Sequence, residues 1–419
     1  MTTQAIKGMR DILPPESNVW SAVEALARKI FTTYGFREIR TPLCESTALF
    51  ERGVGKTSSL VQKQMYSFED KKGVSLTLRP EGTAPVVRAF VNSGLAATNP
   101  VAKFFYISPM FRYEAPQKGR SRQFHQIGVE FLGTVSPMAD AEILIMLFQF
   151  FRALKLKNLQ LEINSLGCKN CKPEYNKALK TFLKGKEKKL CEECHDRAER
   201  NPLRILDCKK EGCKELIAQA PLVSEYWCEE CRQHFREVGG LLLAGGVAYK
   251  ENPKIVRGLD YYSRTAFEVL STDLGAQDAL MGGGRYDGLV KDLGGPDVPG
   301  VGFAVGMERL LLLLPEEFVA AAEKAQGTKI FFALLGPEAQ RKALSIIQEL
   351  RNLEKEVEIG YGGSLKSQMR RADKLQASHV IILGDQEVER GIAIVKNMKD
   401  GTQQEILLGR LVEKLCTHS

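Results

Sequence analysis

No stretch of this sequence reaches the roughly 18 consecutive apolar residues of a membrane-crossing helix. The first residues, MTTQAIKGMRDILPPE, lack the apolar segment of a secretory leader. A cytoplasmic protein with no membrane association is therefore expected. A phosphate-binding P-loop is missing too. The run GVGKT at 53–57 suggests one, but that pattern needs glycine five residues before Gly55, and Phe50 stands there. Cysteine is scarce outside one block. Of ten cysteines, only Cys44 and Cys416 lie beyond residues 168–231, which argues against a chain-wide disulfide framework.

At 419 residues the chain is too long for one ordinary core, so two or three domains are expected. Hydrophobic residues make up 44 %, an ordinary share for a globular protein. The net charge of +8 is compatible with a nucleic-acid partner without demanding one.

The eight clustered cysteines come in pairs: Cys168/Cys171, Cys191/Cys194, Cys208/Cys213 and Cys228/Cys231. Three are C-x-x-C, and in a reducing compartment metal is the usual reason for such pairs. The gaps of 19 residues between the first two pairs and 14 between the last two are near zinc-ribbon spacing. Two structural tetrathiolate zinc sites would use all eight, but spacing leaves the pairing open. Lys169, Lys172, Lys188, Lys189, Lys209 and Lys210 would offset the thiolate charge. Taken alone, this block would also suit a zinc-ribbon nucleic-acid-binding protein.

Periodicity gives the organisation. Residues 17–35 and 137–156 read as helices, and 74–79 as a strand ending at Pro80. Thr83 opens a helical stretch and suits an N-cap. Four divisions result: a first core part at 1–167, a Cys-rich insertion at 168–245, a second core part at 246–324, and a strand–helix alternating domain at 325–419. The fold class is α+β, with helices flanking an antiparallel sheet, a small helical insertion, and a carboxy-terminal α/β domain with a mixed sheet.

The segment FRYEAPQKGRSRQFHQIGVE at 111–130 carries the most information. It reads as two strands joined by a basic tip. Alternation puts Tyr106, Ser108, Met110, Arg112 and Glu114 on one face going out. Phe124, Gln126, Gly128 and Glu130 share one face coming back. A charged face can simply be solvated, but this one also suits the floor of a polar ligand site. IVRGLDYYSRTAFEV at 255–269 and GGGRYDG at 282–288 crowd polar, aromatic and glycine residues together. In GMERLLLLL, Arg309 near a helix start would be relieved by an anionic ligand such as nucleotide phosphate.

Together these motifs resemble the class II aminoacyl-tRNA synthetases, and within them the histidyl-tRNA synthetase family. YGFREIRTPLCESTALFERGVG resembles motif 1, FRYEAPQKGRSRQFHQIGVE motif 2 and GVGFAVGMERL motif 3. RGLDYY and GGGRYDGL resemble the two segments peculiar to the histidine enzymes, and the last domain resembles their anticodon-binding domain. The resemblance implies ATP-dependent activation of L-histidine to an adenylate, with Mg²⁺ on the phosphates, and transfer to tRNA(His) by a homodimer. It implies histidine binding by Glu81, Gly82, Thr83, Arg112, Gln126, Glu130, Arg257, Tyr261 and Tyr262. ATP would be held by Arg112, Glu114 and Arg309, with Arg257 and Arg112 as the catalytic cations. Gln117, Lys118, Arg120 and Arg122 would contact the tRNA acceptor end. The zinc expectation for Cys168, Cys171, Cys191, Cys194, Cys208, Cys213, Cys228 and Cys231 rests on spacing, not on the resemblance. The rival within the same fold is the synthetase-like regulatory subunit of ATP phosphoribosyltransferase. Such subunits typically lack the last domain and lose catalytic residues, whereas here both are present.

Overall fold

The computed structural model describes residues 3–55, 58–208, 210–275, 278–324 and 329–417. Lys56 and Thr57 of the GVGKT run, Lys209, and residues 325–328 at the expected start of the last domain lie outside these. Two units form, Met1–Phe318 and Val319–Ser419, dividing within the Ala- and Glu-rich stretch 316–327.

The first unit contains strands β1 (Arg37–Glu38), β2 (Cys44–Ser46), β3 (Tyr66–Glu69), β4 (Ser75–Leu78), β5 (Ala102–Phe111), β6 (Gln123–Leu132), β7 (Leu159–Ser165), β8 (Tyr249–Glu251), β9 (Ser263–Ser271), β10 (Ala279–Arg285) and β11 (Gly300–Gly306). Eight of them make one sheet in the order β1-β5-β6-β11-β10-β9-β7-β8. The six central strands are antiparallel, as expected for this fold class. The edge pairings β1–β5 and β7–β8 are parallel, which alternation alone could not reveal. A separate small sheet runs β2-β4-β3.

The central sheet has two unlike faces. On one, Phe105, Ile127, Val129, Phe131, Phe267, Val269, Val301, Phe303 and Val305 are buried in one apolar core. The helices Glu16–Thr33 and Pro137–Ala153 complete that core with Trp20, Val23, Phe31, Ile143, Leu147 and Phe150. The second helix starts cleanly, with Pro137 in its first turn and the Ser136 hydroxyl accepting the Met138 amide at 3.3 Å. A third helix, Glu229–Ala244, adds Phe235, Val238 and Leu242. It lies at the end of the Cys-rich stretch, yet it packs into the main core. The rest of that stretch has small clusters of its own, one including Leu183, Ile205, Leu216 and Ile217.

In the second unit, β12 (Ile330–Leu335), β13 (Val357–Ile359), β14 (His379–Gly384), β15 (Ile392–Asn397) and β16 (Gln403–Leu407) form a mixed sheet in the order β13-β12-β14-β15-β16. Its central strands β12 and β14 are apolar on both faces. Phe332 and Ile381 lie in one core, and Phe331 and Val380 in the other.

One buried ion pair ties the first unit together. Arg285, at the end of β10, has no exposed side-chain surface, and neither does Asp140 in the first turn of Pro137–Ala153. Arg285 Nη2 lies 2.7 Å from Asp140 Oδ2. Nη1 donates to the Thr134 carbonyl at 2.9 Å and Nη2 to that of Ser136 at 3.0 Å. Removing one partner leaves the other charge buried and unpaired. Arg285→Met should therefore destabilise the protein by about 3–5 kcal/mol. Thermal denaturation checks this, and an unchanged Tm would contradict it.

Candidate active site

The other face of the central sheet is stripped of bulk. The register places Tyr106 opposite Gly128, Ser108 opposite Gln126, and Phe104 opposite Glu130. The next strand sets Gly302, Ala304 and Gly306 beside Glu130, Gly128 and Gln126. Beyond it come Gly284 and Gly282, and then Glu268 beside Gly282. The face that alternation picked out on the 111–130 segment is thus one side of a broad glycine-rich floor. The floor leaves space for large side chains. A Cβ at Gly282 would lie 2.1 Å from Arg257 Nη2, and one at Gly82 would lie 2.2 Å from the Tyr106 ring.

One end of the floor gathers carboxylates and hydroxyls. Glu81 is buried, and its two oxygens accept the amides of Thr83 at 2.7 Å and Ala84 at 2.8 Å. Glu81 therefore satisfies the open amides at the start of the helix Thr83–Asn92. Thr83 is not the N-cap, contrary to the sequence expectation. It is the first helical residue, and its hydroxyl donates to Glu130 Oε1 at 2.7 Å. Tyr286 donates to the other oxygen of Glu130, and Tyr261 donates to Glu81 at 3.4 Å. Burial pushes the Glu130 carboxyl up to about 8, although the Tyr286 and Thr83 hydroxyls pull it down. Burial also raises Glu81, against the Ala84 and Thr83 amides. The Tyr261 and Tyr262 ring centres lie 4.6 Å apart, with the planes tilted by 51°. The Tyr106 hydroxyl and Gln126 Oε1 are buried with no hydrogen-bond partner.

The flanks and the opposite end are cationic. Arg257 donates to Glu268, and its guanidinium lies 5.6 Å from the centre of the Tyr262 ring. Its Nε is buried with no hydrogen-bond partner. Burial works against its charge, but Glu268, Tyr262 and Tyr261 together more than offset this, so its pKa is raised. Arg112 lies just past β5, over the Phe124 ring at 5.1 Å, and donates to the Pro80 carbonyl at 2.8 Å. Burial lowers its pKa. Arg309 is the third residue of the short helix Met307–Leu312 and donates to the Ala279 carbonyl. Burial and then the neighbouring Arg120 cation lower it.

The four tip residues separate. Gln117 and Arg120 exchange backbone hydrogen bonds around a tight turn with Gly119 at φ +71°. Lys118 is exposed. Arg120 reaches Glu114 at 3.5 Å, and Arg122 lies over the Tyr113 ring at 4.2 Å. Only Gln117 and Lys118 are fully presented to solvent; Arg120 and Arg122 are half-buried.

Two contributors escaped the sequence reading. Tyr286 stood inside a quoted motif, but nothing marked its hydroxyl. Glu268 sits within a strand pattern dominated by apolar neighbours, while Tyr106 was placed on the floor face without a role. A signal for Glu268 was available, since an acidic residue between Phe267 and Val269 needs a partner.

The eight cysteines form two nested sets. Cys168, Cys171, Cys228 and Cys231 converge, as do Cys191, Cys194, Cys208 and Cys213. All are free thiols.

Residues 8–310 match the family described as histidyl-tRNA synthetase, and residues 329–418 match the anticodon binding domain. A histidine–tRNA ligase of Nitratidesulfovibrio vulgaris is 51 % identical, over 96 % of this chain and 95 % of its own length. That of Syntrophotalea carbinolica is 47 % identical, over 99 % and 98 %. The crystal structure of the apo Staphylococcus aureus histidyl-tRNA synthetase superposes with a TM-score of 0.83 at 37 % identity, covering 99 % of each chain. Family match, relatives and fold agree across nearly the whole length: this chain belongs to the histidyl-tRNA synthetase family, with a class II synthetase fold.

Proposed function

We propose that this chain activates L-histidine with ATP and transfers it to the terminal ribose of tRNA(His), releasing AMP and pyrophosphate. One observation carries this at the level of the site: a glycine floor with buried carboxylates at one end and arginines along both flanks. Gln126 and Glu130 are four residues apart on β6, which spans roughly 14 Å. That is room for an amino acid and a nucleotide phosphate laid end to end. Histidine brings an ammonium and an imidazole, and Glu81 and Glu130 are the groups to meet them. Glu130, held near neutrality by burial, gains most from a cationic partner. Tyr262 and Gln126 offer hydrogen bonds to the imidazole, and Tyr261, Thr83 and the backbone at Gly82 complete the wall. A pocket that hydrogen-bonds a polar substrate edge discriminates strongly against analogues lacking it.

The reaction brings two anions together. The histidine carboxylate attacks the α-phosphorus in line, and pyrophosphate leaves. Arg112 and Arg257 flank the floor from opposite sides. They would offset both the ground-state repulsion and the charge that develops on the phosphoryl oxygens. Arg309 and Arg120 repel one another, and a terminal phosphate would relieve them. Mg²⁺ arrives on the ATP phosphates and keeps much of its own hydration. The Glu114 carboxylate, paired with Arg120, suits that ion. Gln117 and Lys118 are exposed for the acceptor end of the tRNA, with Arg120 and Arg122 behind them.

Three further features belong to this reading. Structural, non-catalytic zinc is held by the eight cysteines. The location is cytoplasmic, where ATP and tRNA are available, which cell fractionation checks. The chain works as a homodimer built on the motif 1 region. Leu43, Phe68 and Val74, at the small β2-β4-β3 sheet, are large apolar side chains left 46–49 % exposed, which supports a covered surface there.

Pyrophosphate exchange into ATP should depend on histidine and on no other amino acid. Exchange driven equally by proline or threonine, or none at all, would overturn the proposal. Arg257→Ala should lower kcat for exchange by roughly 10²-fold or more, as loss of a transition-state cation does. An effect confined to KM would instead make Arg257 a ground-state binding group. Light scattering should give twice the chain mass of 46.7 kDa. A stable, active monomer at micromolar concentration would refute the dimer.

A further inference from the structure

The two cysteine sets differ in place but share an architecture. In the outer set, Cys168 and Cys171 follow β7, while Cys228 and Cys231 begin the helix Glu229–Ala244. Sulfur separations are 3.6 Å for Cys168–Cys171, 4.0 Å for Cys168–Cys228 and 3.8 Å for Cys171–Cys231. In the inner set, Cys191 and Cys208 are 3.9 Å apart. Four sulfurs at 2.3 Å from one tetrahedral ion lie about 3.8 Å from each other. Within each set all four sulfurs fall within 4.8 Å of one another, and three of the four residues are buried. Backbone amides already point at the sulfur atoms: Cys228 N–H at Cys171 Sγ and Cys191 N–H at Cys213 Sγ, both 3.2 Å. That donor pattern stabilises thiolate ligands.

Both sets also hold the same neighbour, the 257–264 segment that begins with Arg257. The inner set closes the loop from Cys194 to Cys208, and the loop carries Asn201 and Arg204. Arg204 is buried. It donates from Nε to Asp260 Oδ1 at 2.9 Å and from Nη2 to the Gly258 carbonyl at 2.8 Å. Asn201 donates to the same Asp260 oxygen at 2.7 Å. The outer set fixes Lys172, one residue beyond Cys171, and Lys172 donates to the Tyr262 carbonyl. It also fixes Glu230, which is paired with Arg264. The segment is therefore gripped at Gly258, Asp260, Tyr262 and Arg264 by residues anchored between or beside cysteines.

We infer that the eight cysteines form two nested tetrathiolate zinc sites that position the 257–264 segment, so that metal occupancy governs the rate of histidine activation. This deepens the histidine-activation reading and rests on it. Neither ion meets substrate. Arg204, Asn201 and Lys172 are positioning residues, acting through the segment that carries Arg257, Tyr261 and Tyr262.

The test separates the metal, the coupling and the activity. Protein purified without chelator or metal-affinity resin should contain two zinc equivalents per chain by elemental analysis. Less than half an equivalent overturns the inference whatever the activity. The paired variants Cys194→Ser/Cys213→Ser and Cys168→Ser/Cys231→Ser should each lose one equivalent and keep the other. Loss of both, or of neither, refutes two independent sites. Arg204→Ala should keep both ions and lower kcat for exchange on the order of tenfold, part of the roughly 10²-fold that a 1 Å misplacement of catalytic groups can cost. Its KM for ATP should change little, and Arg204→Lys should recover part of the loss. Full wild-type kcat in Arg204→Ala overturns the coupling. Loss of zinc in that variant does so too, because Arg204 would then serve the metal loop instead. Two bound ions without histidine-dependent exchange in the wild-type protein would sink the activity reading and leave the zinc sites standing.

Discussion

Successive side chains of a strand point to opposite faces, so each central strand here must serve two environments with a period of two residues. On one side Phe105, Ile127, Val129, Phe267, Val301 and Phe303 pack against helices. On the other side the same strands present Gly128, Gly282, Gly284, Gly302 and Gly306. A single-residue slip in register would exchange the two sets, burying polar groups in the core and filling the groove with phenylalanine. The apolar face thus fixes the register, and the register fixes the groove. The hydrophobic core and the site are two readings of one alternation.

Desolvation shapes the groove's chemistry. Glu130 has no exposed surface and no cationic partner within hydrogen-bond reach among the described residues; the Thr83 and Tyr286 hydroxyls lessen the cost only in part. On the proposed reading, an unpaired Glu130 leaves a substrate cation something to gain by entering. Arg257 takes the opposite solution. Its charge is secured by Glu268, which holds the guanidinium in place without a ligand. The buried carboxylate is left dissatisfied and the flanking guanidinium is pre-organised.

The hairpin was legible because alternation is a local signal. Gln126, Gly128 and Glu130 could be placed on one face without knowing any other strand. The parallel edge pairings could not be, since β1 and β8 are only two or three residues long and carry little pattern. The Thr83 cap was misjudged for a long-range reason: its hydroxyl turns to Glu130, 47 residues away, and Glu81 takes its place at the amides. Arg122 reads as a tip cation, but its guanidinium lies on Tyr113, a contact made across the hairpin. Cysteine spacing suggested metal ligands but left open which pairs converge. Zinc-ribbon spacing is equally consistent with sequential or nested pairing, and only the folding of the intervening loop decides.

The neck of the Cys-rich stretch has a further consequence. Cys168 and Cys228 are separated by 60 residues in the chain, yet their sulfur atoms are 4.0 Å apart, and the Trp227 indole donates to the Ser165 carbonyl at 3.0 Å. Exit and re-entry are side by side at the end of β7. Closing a flexible loop adds only about 0.6 kcal/mol for each doubling of its length. The central sheet is therefore nearly indifferent to how much chain lies beyond this neck. Whole helices could be gained or lost there during descent while the strands and their register stayed as they are. The neck is a graft point, where variation in length is cheap for the sheet.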